Sequence, residues 1–279
     1  MTKEEFCAAL LLSRKKGVGA ARFKKLIERH KLPSIALREL EGESGEKMEF
    51  DKRSLNKSNT QDQIIKTLEG FERGDFYACI YGEPDYPRQL YCLSEPPPVL
   101  FASGPIKDCK YAAIVGTRKM TAEGKKLAEI VTKKCVEQGY AIISGGAEGI
   151  DSAAHETALS LGAHTVAVFG NGIDLVYPKK NKELFQRIAQ SGAVISELMP
   201  GTKPAKGFFP TRNRIIAGMA EIVIFVQGTE KSGALITVNW GKRLGKIIKV
   251  LPAHDKSPEW GGNLLLLGTN PNFYYGLES

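Results

Sequence analysis

The sequence predicts an α/β protein with an extended Rossmann-like, doubly wound and mostly parallel sheet, preceded by a small helical N-terminal domain. Two patterns carry this prediction. Between residues 111 and 251, short apolar runs alternate with glycine-rich turns and helical stretches, as in parallel strands that helices cover on both faces. Residues 1–73 instead show apolar residues at helical spacing. We therefore expect a helical domain at residues 1–73 and an extended Rossmann-like domain at residues 76–279.

The N-terminal part begins with two amphipathic segments on either side of Gly17-Val18-Gly19. A polar, turn-rich stretch follows at residues 41–63, and the segment QIIKTLEGFERG then predicts a short helix that Gly74 ends. From Phe76 the pattern changes to two short apolar runs, FYACIYG and PVLFASG, on either side of the proline-rich connector SEPPP.

The alternating region predicts six strands in order: YAAIVG, YAIISGG, HTVAVFGNG, AVISEL, EIVIFVQG and KIIKVLP. Five helical stretches lie between them: TAEGKKLAEIVTKKCVEQG, IDSAAHETALSLG, NKELFQRIAQSG, RNRIIAGMA and ALITVNWGKRLG. In an open doubly wound sheet, ligands bind outside the carboxyl ends of the strands. The turns that follow these strands are therefore the candidate binding region.

The overall charge favours a polyanionic partner. The net charge is +8 and the isoelectric point is about 9.1, and Lys and Arg side chains that neutralise phosphates release counterions from nucleic acid. No apolar run reaches the ~18–20 residues of a membrane span, and the N-terminus lacks the pattern of a signal peptide. The five cysteines form no C-x-x-C pair, which suits free thiols in a reducing cytoplasm. We therefore expect a cytoplasmic protein.

Two strand-to-helix turns are candidate phosphate-binding sites. Gly116-Thr117-Arg118 follows the first strand of the alternating region and leads into a helix that we expect Thr121 to cap. Ser144-Gly145-Gly146 follows the next strand, and we expect Asp151 to cap the helix behind it. A helix N-terminus offers unpaired N–H groups and partial positive charge to an anion. The alternative is that these glycines serve only tight turns, as in most doubly wound proteins.

A second cationic feature comes late in the chain. The segment FPTRNRIIAG places Arg212, Asn213 and Arg214 in the predicted first turn of a helix. Cations there oppose the helix dipole at a cost of up to ~1 kcal/mol unless an anion offsets them. Lys231-Ser232-Gly233 also precedes a helical run, and Lys179 lies in the loop before another. The alternative for the two arginines is a role in intrachain salt bridges.

The sequence lacks the common catalytic signatures. Neither the dinucleotide fingerprint G-x-G-x-x-G nor the P-loop motif occurs, and there is no G-x-S-x-G nucleophile elbow. The four histidines lie far apart without metal spacing, and His155 is better explained by packing than as a base. We expect no catalytic residue, no metal and no cofactor.

Six motifs occur in a characteristic order: IVGTR, SGGAEGIDSAAHETAL, GNGIDLVYPKKN, SELMPGT, FPTRNRIIAGM and KSGALIT. Over roughly residues 76–270 the chain therefore resembles the DprA/Smf family, the DNA-processing proteins of bacterial natural transformation. The resemblance implies an extended Rossmann fold that binds single-stranded DNA without catalysing a reaction. It also implies a homodimer that protects incoming DNA and helps to load the RecA recombinase onto it.

The resemblance places the DNA pocket at the G-[ST]-R turn and the R-N-R segment. The residues assigned to DNA are Gly116, Thr117, Arg118, Ser144, Gly145, Gly146, Lys179, Phe209, Arg212, Asn213, Arg214, Lys231, Ser232 and Gly233. The arginines and lysines would contact phosphates, and the glycines would offer backbone donors. Phe209 or Tyr177 would stack on a base.

The N-terminal part is similar to the small helical domain of the family. Its segment GVGAARFKKL looks like a helix-hairpin-helix, in which Lys24 and Lys25 would reinforce the grip on a phosphate. The alternative is a purely structural role. The chain departs from the family at Glu148, where a small or basic residue is common. We also expect the C-terminal winged-helix domain of some members to be missing.

Two other functions remain open on the same fold. Phosphoribohydrolases that cleave nucleoside monophosphates carry a P-G-G-x-G-T-x-x-E motif. In this chain only Gly228 and Thr229 match that motif. Ser232 stands where their glutamate is expected, and Glu230 is out of register. The other alternative is a protein that binds a small nucleotide at the same candidate phosphate-binding turns.

Overall fold

A computed structural model of the chain describes residues 2–42 and 59–276. Most of the turn-rich stretch predicted at residues 41–63, and the last three residues of the second predicted domain, lie outside these ranges. Within them, no helix is both long enough and apolar enough to cross a membrane.

The described ranges contain ten α-helices and eight strands. The helices are α1 (Lys3–Arg14), α2 (Ala20–His30), α3 (Pro33–Glu41), α4 (Asn59–Arg73), α5 (Ala122–Glu137), α6 (Ile150–Ser160), α7 (Lys182–Ser191), α8 (Phe208–Met219), α9 (Ala234–Arg243) and α10 (Gly261–Thr269). The strands are β1 (Tyr77–Ile80), β2 (Val99–Ser103), β3 (Tyr111–Val115), β4 (Ala141–Ser144), β5 (Thr165–Val168), β6 (Ala193–Ser196), β7 (Ile222–Phe225) and β8 (Ile247–Val250).

These strands form a sheet in the order β1-β2-β6-β5-β4-β3-β7-β8. The pairings among β3 to β8 are parallel, whereas β1 and β2 add antiparallel strands at one edge. The chain builds outward from β3 to β6 and then returns to place β7 and β8 on the other side of β3. The predicted extended Rossmann-like, doubly wound and mostly parallel fold is confirmed, and all six strands predicted in the alternating region are present.

Alternate residues of each central strand face opposite sides of the sheet. In β3, Ala112 and Ile114 pack with apolar residues of α5 and α6. Ala113 and Val115 belong to the cluster on the other face, which includes residues of α8 and α9. Because both faces are covered, the strands are apolar along most of their length, as the sequence pattern predicted.

The N-terminal helices pack on the antiparallel edge of the sheet. Phe6 of α1 lies against Phe71, with 4.6 Å between ring centroids, and against Phe101 of β2 at 6.3 Å. Gly82 allows α2 to come close, since a Cβ there would lie 2.6 Å from Ile27 Cγ2. The helical part and the sheet thus contribute to a common hydrophobic cluster. A division into domains at residues 73 and 76 stays a prediction.

One of the two predicted helix caps is correct. Thr121 caps α5, because its Oγ1 accepts a hydrogen bond from the Gly124 N–H at 3.0 Å. The predicted cap of α6 is wrong, since Gly149 is the residue that precedes this helix. Asp151 is the second residue of α6, and its Oδ2 accepts from the Ala147 N–H at 3.3 Å. Its carboxylate therefore turns back onto the turn after β4.

The helix that carries the two arginines begins earlier than predicted. It starts at Phe208, so residues 212–214 lie in its second turn. Pro210 falls in the first turn, where a missing backbone N–H leaves no intrahelical bond unmade. The arginines are thus one turn further from the partial positive charge of the helix N-terminus than the sequence suggested.

Candidate nucleic-acid interface

A cleft of about 540 Å³ opens where the strand order reverses, outside the carboxyl ends of β3 and β7. Its walls come from the turn after β3, the first half of α8 and the start of α9. Of the predicted site residues, it is lined by Gly116, Thr117, Arg118, Phe209, Arg212, Asn213, Ser232 and Gly233. This is the position at which doubly wound sheets bind ligands.

Internal hydrogen bonds hold the turn after β3. The Thr117 N–H donates to the backbone oxygen of Gln227 at 2.7 Å, and the Thr121 N–H donates to the side-chain oxygen of Gln227 at 3.0 Å. A Cβ on Gly116 would lie 2.6 Å from Ile150 Cγ1, so this glycine allows close packing. The Thr117 amide is already paired, so what the turn offers to an anion is the exposed side chains of Arg118 and Lys119.

The turn after β4 holds an internal carboxylate where the sequence predicted a phosphate. The Ala147 N–H donates to Asp151 at 3.3 Å, and the Gly145 N–H contacts the same carboxylate. The Ser144 side chain is buried, and its Oγ donates to the Ile114 carbonyl oxygen at 2.7 Å. The structure therefore does not bring Ser144 to the cleft.

Arg212 is a buried brace at the floor of the cleft. Its guanidinium donates to the carbonyl oxygens of Gly145, at 2.7 Å, and of Val168. Burial lowers the pKa of Arg212 to about 10, Asp151 opposes this shift, and Arg118 adds to it. Burial also raises the pKa of Asp151, against the opposing charge of Arg212. Arg212 thus links the ends of β4 and β5 to α8.

Arg214 is directed away from the cleft. Its guanidinium forms two hydrogen bonds with the Glu197 carboxylate, at 2.9 and 2.6 Å. Only 7% of the Arg214 side chain and 15% of the Glu197 side chain are exposed. Of the two alternatives for the arginine pair, an intrachain salt bridge describes Arg214.

The exposed Tyr177 and the half-buried Phe209 form an aromatic ledge beside the cleft. Their ring centroids lie 5.6 Å apart at an interplanar angle of 37°, and the Arg118 guanidinium lies 5.4 Å from the Phe209 centroid. Gly170 lets the ledge sit close to the end of β5, because a Cβ there would lie 2.8 Å from Phe209 Cδ1. A flat ring beside an exposed cation is suited to a base and its phosphate.

The remaining predicted residues have different positions. Asn213 lines the cleft and donates to the Gly233 carbonyl oxygen at 3.3 Å, which ties α8 to the start of α9. Gly146 is buried with φ of 67°, where a side chain would be strained. Lys179 and Lys231 are exposed but do not line the cleft.

The sequence did not single out two residues that matter to the site. Lys206 is exposed and lines the cleft, and its position in the basic loop GTKPAKGFF, just ahead of the ledge, was the available signal. Gln227 is fully buried and holds the turn after β3 by its side chain and backbone. A buried Gln at a strand end carries no pattern that distinguishes it in one sequence.

Comparison with known proteins shows to which family the chain belongs. The family model described as DNA recombination-mediator protein A matches residues 78–276. The chain belongs to the DprA/Smf family. It is 35% identical over 280 residues to protein Smf of Synechocystis sp., covering 96% of this chain and 69% of that protein. It is 39% identical over 185 residues to the DNA processing protein DprA of Bacillus subtilis, covering 65% and 62% of the two chains.

Two solved DprA structures resemble this fold closely. The crystal structure of Streptococcus pneumoniae DprA gives a TM-score of 0.73 at 28% identity, covering 97% of this chain and 93% of that one. A structure from Helicobacter pylori that reveals a single-stranded DNA binding mode of DprA gives 0.64 at 29% identity. It covers 73% of this chain and 92% of the other. The likeness to S. pneumoniae DprA extends over the N-terminal helices as well as the sheet.

Proposed function

We propose that this DprA/Smf family member binds single-stranded DNA along the cleft and the aromatic ledge, without catalysing a reaction. The observation that carries the proposal is the exposed Arg118 guanidinium, 5.4 Å from the Phe209 ring at the edge where the strand order reverses. The DprA protein of H. pylori, whose structure is similar, binds single-stranded DNA.

The DNA backbone and the bases are held by different parts of this surface. Arg118 and Lys206 are exposed on the cleft and contact phosphates. Lys179 and Lys231, which are exposed outside the cleft, contact phosphates further along the strand. The rings of the ledge stack on bases, which is tolerant of sequence because every base has a flat face. Ser232 and Gly233 form the wall of the cleft on the α9 side. The floor of the DNA-binding surface is formed by Gly116, Thr117, Gly145, Gly146, Arg212 and Asn213.

The positions of Asp151 and Glu230 support binding without catalysis. Asp151 lines it, but the carboxylate is buried and accepts the Ala147 N–H. Glu230, the nearest residue to the glutamate that phosphoribohydrolases require, lies against Gly261 and does not line the cleft. If the pure protein released free base from a nucleoside monophosphate, the proposal that it catalyses no reaction would be contradicted. If it bound mononucleotides tightly but did not bind oligonucleotides, the small-nucleotide alternative would be favoured.

We propose that the cellular role is DNA processing in natural transformation. The protein would protect incoming single strands in the cytoplasm and help to load RecA onto them, as a homodimer. The names of its relatives in B. subtilis and S. pneumoniae, DNA processing protein DprA, support the first part. Exposed apolar residues late in the chain, Ile247 on β8 and Leu264 and Leu265 on α10, support a self-association surface.

The test of the binding proposal compares single strands with duplexes. Fluorescence anisotropy with labelled oligonucleotides of equal length should give a lower Kd for the single strand, because stacking on the ledge requires unpaired bases. Equal or tighter binding of the duplex would contradict the proposal. A filament assay that compares RecA nucleation with and without the protein tests the loading role separately.

A further inference from the structure

Arg118, Tyr177 and Phe209 line two neighbouring spaces. The larger is the cleft described above. The smaller, of about 200 Å³, lies between the ledge and the turn after β4, and its walls include Arg118, Glu148, Tyr177, Pro178 and Phe209. We propose that this smaller space, here called the base compartment, receives one nucleobase of the bound strand and that Glu148 selects guanine there. The inference rests on the proposed binding of single-stranded DNA.

The walls of the base compartment suit a base and the phosphate attached to it. Tyr177, Pro178 and Phe209 present flat apolar surfaces on one side. The backbone of the turn after β4 forms the opposite side, where the nearest amides already donate to Asp151. The rings give a base a surface on which to stack, while Arg118, Lys119 and Arg212, which also line this space, suit the phosphate attached to that base.

Glu148 supplies an acceptor at the edge of this space. Its side chain is 45% exposed, and Oε2 lies 3.3 Å from Lys180 Nζ. Close packing fixes the turn beneath it, because Gly149 has φ of 86° and a Cβ there would lie 2.3 Å from the Thr117 carbonyl oxygen. The carboxylate is thus held on a fixed turn by a lysine, with lone pairs left on both oxygens for another donor.

The pairing chemistry of a carboxylate favours guanine. An ionised carboxylate only accepts hydrogen bonds, and it can accept two in parallel. Guanine is the base whose Watson–Crick edge presents two adjacent donors, N1–H and the N2 amino group. Adenine and cytosine place a ring nitrogen acceptor beside the amino group, and thymine flanks its N3–H with two carbonyl oxygens, so each sets an acceptor against Glu148. The other nucleotides of the strand, held by phosphate contacts and stacking, are not discriminated.

The test uses thymidine oligonucleotides of fixed length with one internal substitution. We expect a single dG to lower the Kd about fivefold relative to dT, the low end of a bidentate base contact at a half-exposed site. Replacing dG by deoxyinosine, which lacks the N2 amino group, should remove most of this gain. Replacing it by 7-deaza-deoxyguanosine, which keeps the Watson–Crick edge, should preserve the gain.

Matched variants assign the effect to the proposed residue. Glu148→Gln keeps the shape but replaces one acceptor with a donor, so the dG preference should disappear while thymidine oligonucleotides still bind. Glu156→Gln is the control, because Glu156 is similarly exposed and pairs with Arg187 at 2.7 Å on the surface of α6. It should leave the preference unchanged.

The possible failures are distinguishable. A protein that does not bind single strands would contradict the proposed function itself. A protein that binds all substituted oligonucleotides equally, or whose Glu148→Gln variant gains affinity for every oligonucleotide without any change in preference, would leave the proposed function standing and overturn the guanine assignment.

Discussion

At the scale of single residues, three arginines that look alike in sequence have three different environments. Arg118 is exposed beside a ring, Arg212 is buried on backbone carbonyl oxygens, and Arg214 is buried on Glu197. The motif predicted that a cationic site lies here. It did not predict which guanidinium reaches solvent, because that depends on the side of α8 each residue faces and on partners distant in the chain.

The Arg214 pair gives a prediction about stability. Arg214→Ala should lower the free energy of unfolding by about 3 kcal/mol, because it leaves the Glu197 carboxylate buried without its partner. Chemical denaturation measures this loss. The double variant Arg214→Met/Glu197→Leu should recover most of it, while DNA affinity of the folded protein stays near wild type. A selective loss of DNA affinity in the folded double variant would instead assign Arg214 to the interface.

His155 gives a prediction about pH. It is fully buried with Nδ1 2.7 Å from Thr165 Oγ1, and burial, aided by the charge of Arg212, lowers its pKa to about 3. The unfolded chain takes up a proton on this residue below about pH 6.5 while the folded protein does not. The contribution of His155 to the free energy of unfolding is therefore fully present above pH 6.5 and is lost as the pH falls towards 3.

Denaturation of His155→Gln at several pH values checks this account. Between pH 6.5 and 5 the wild type should lose on the order of 2 kcal/mol more than the variant. Parallel curves for the two proteins over this range would show that His155 is not the residue responsible.

At the scale of elements, the turns are where the structure departs most from the sequence-based expectation. The sequence predicted the strands, the helices between them and the edge of the sheet that holds the site, since apolar periodicity reports burial directly. It did not predict that Asp151 fills the turn after β4 or that Gln227 pairs the amide of Thr117. Both depend on contacts between elements, which one sequence does not reveal.

The turn after β4 provides a test of this packing. In Gly145→Ala the new Cβ would lie 2.5 Å from Arg212 Nη2, so the buried Arg212 guanidinium must shift. We expect a loss of about 1–3 kcal/mol in unfolding free energy together with weaker binding of single-stranded DNA. Gly207→Ala is the control, because a Cβ there meets nothing within 4 Å although Gly207 directly precedes α8. Equal effects of the two substitutions would contradict the role of close packing at Gly145.

The exposed face of α10 provides a second test at this scale. Leu264 and Leu265 are 43% and 46% exposed, and burial of such residues against a second copy would stabilise a dimer. We expect the wild type to be dimeric by light scattering at micromolar concentration and the double variant Leu264→Lys/Leu265→Lys to be monomeric under the same conditions. A wild-type protein that is itself monomeric there would remove the proposed homodimer.

At the scale of the whole molecule, the net charge of +8 and the reversal of strand order act together. The charge favours a polyanionic partner, and the fold concentrates exposed cations and two aromatic rings at one edge of the sheet. With Arg118, Lys206 and one flanking lysine each neutralising a phosphate of single-stranded DNA, log Kd should rise with log[salt] with a slope of about 2. This corresponds to roughly a 20-fold loss of affinity between 50 and 200 mM salt.

The salt dependence of single-strand binding by wild type and by Arg118→Ala tests the central claim most directly. The claim predicts that the variant binds about tenfold more weakly at low salt, the effect of one charge-assisted contact, and that its salt slope falls by about 0.7. Thermal unfolding should be unchanged, because the Arg118 side chain is exposed. A variant with wild-type affinity and wild-type slope would contradict the assignment of this cleft to the DNA backbone.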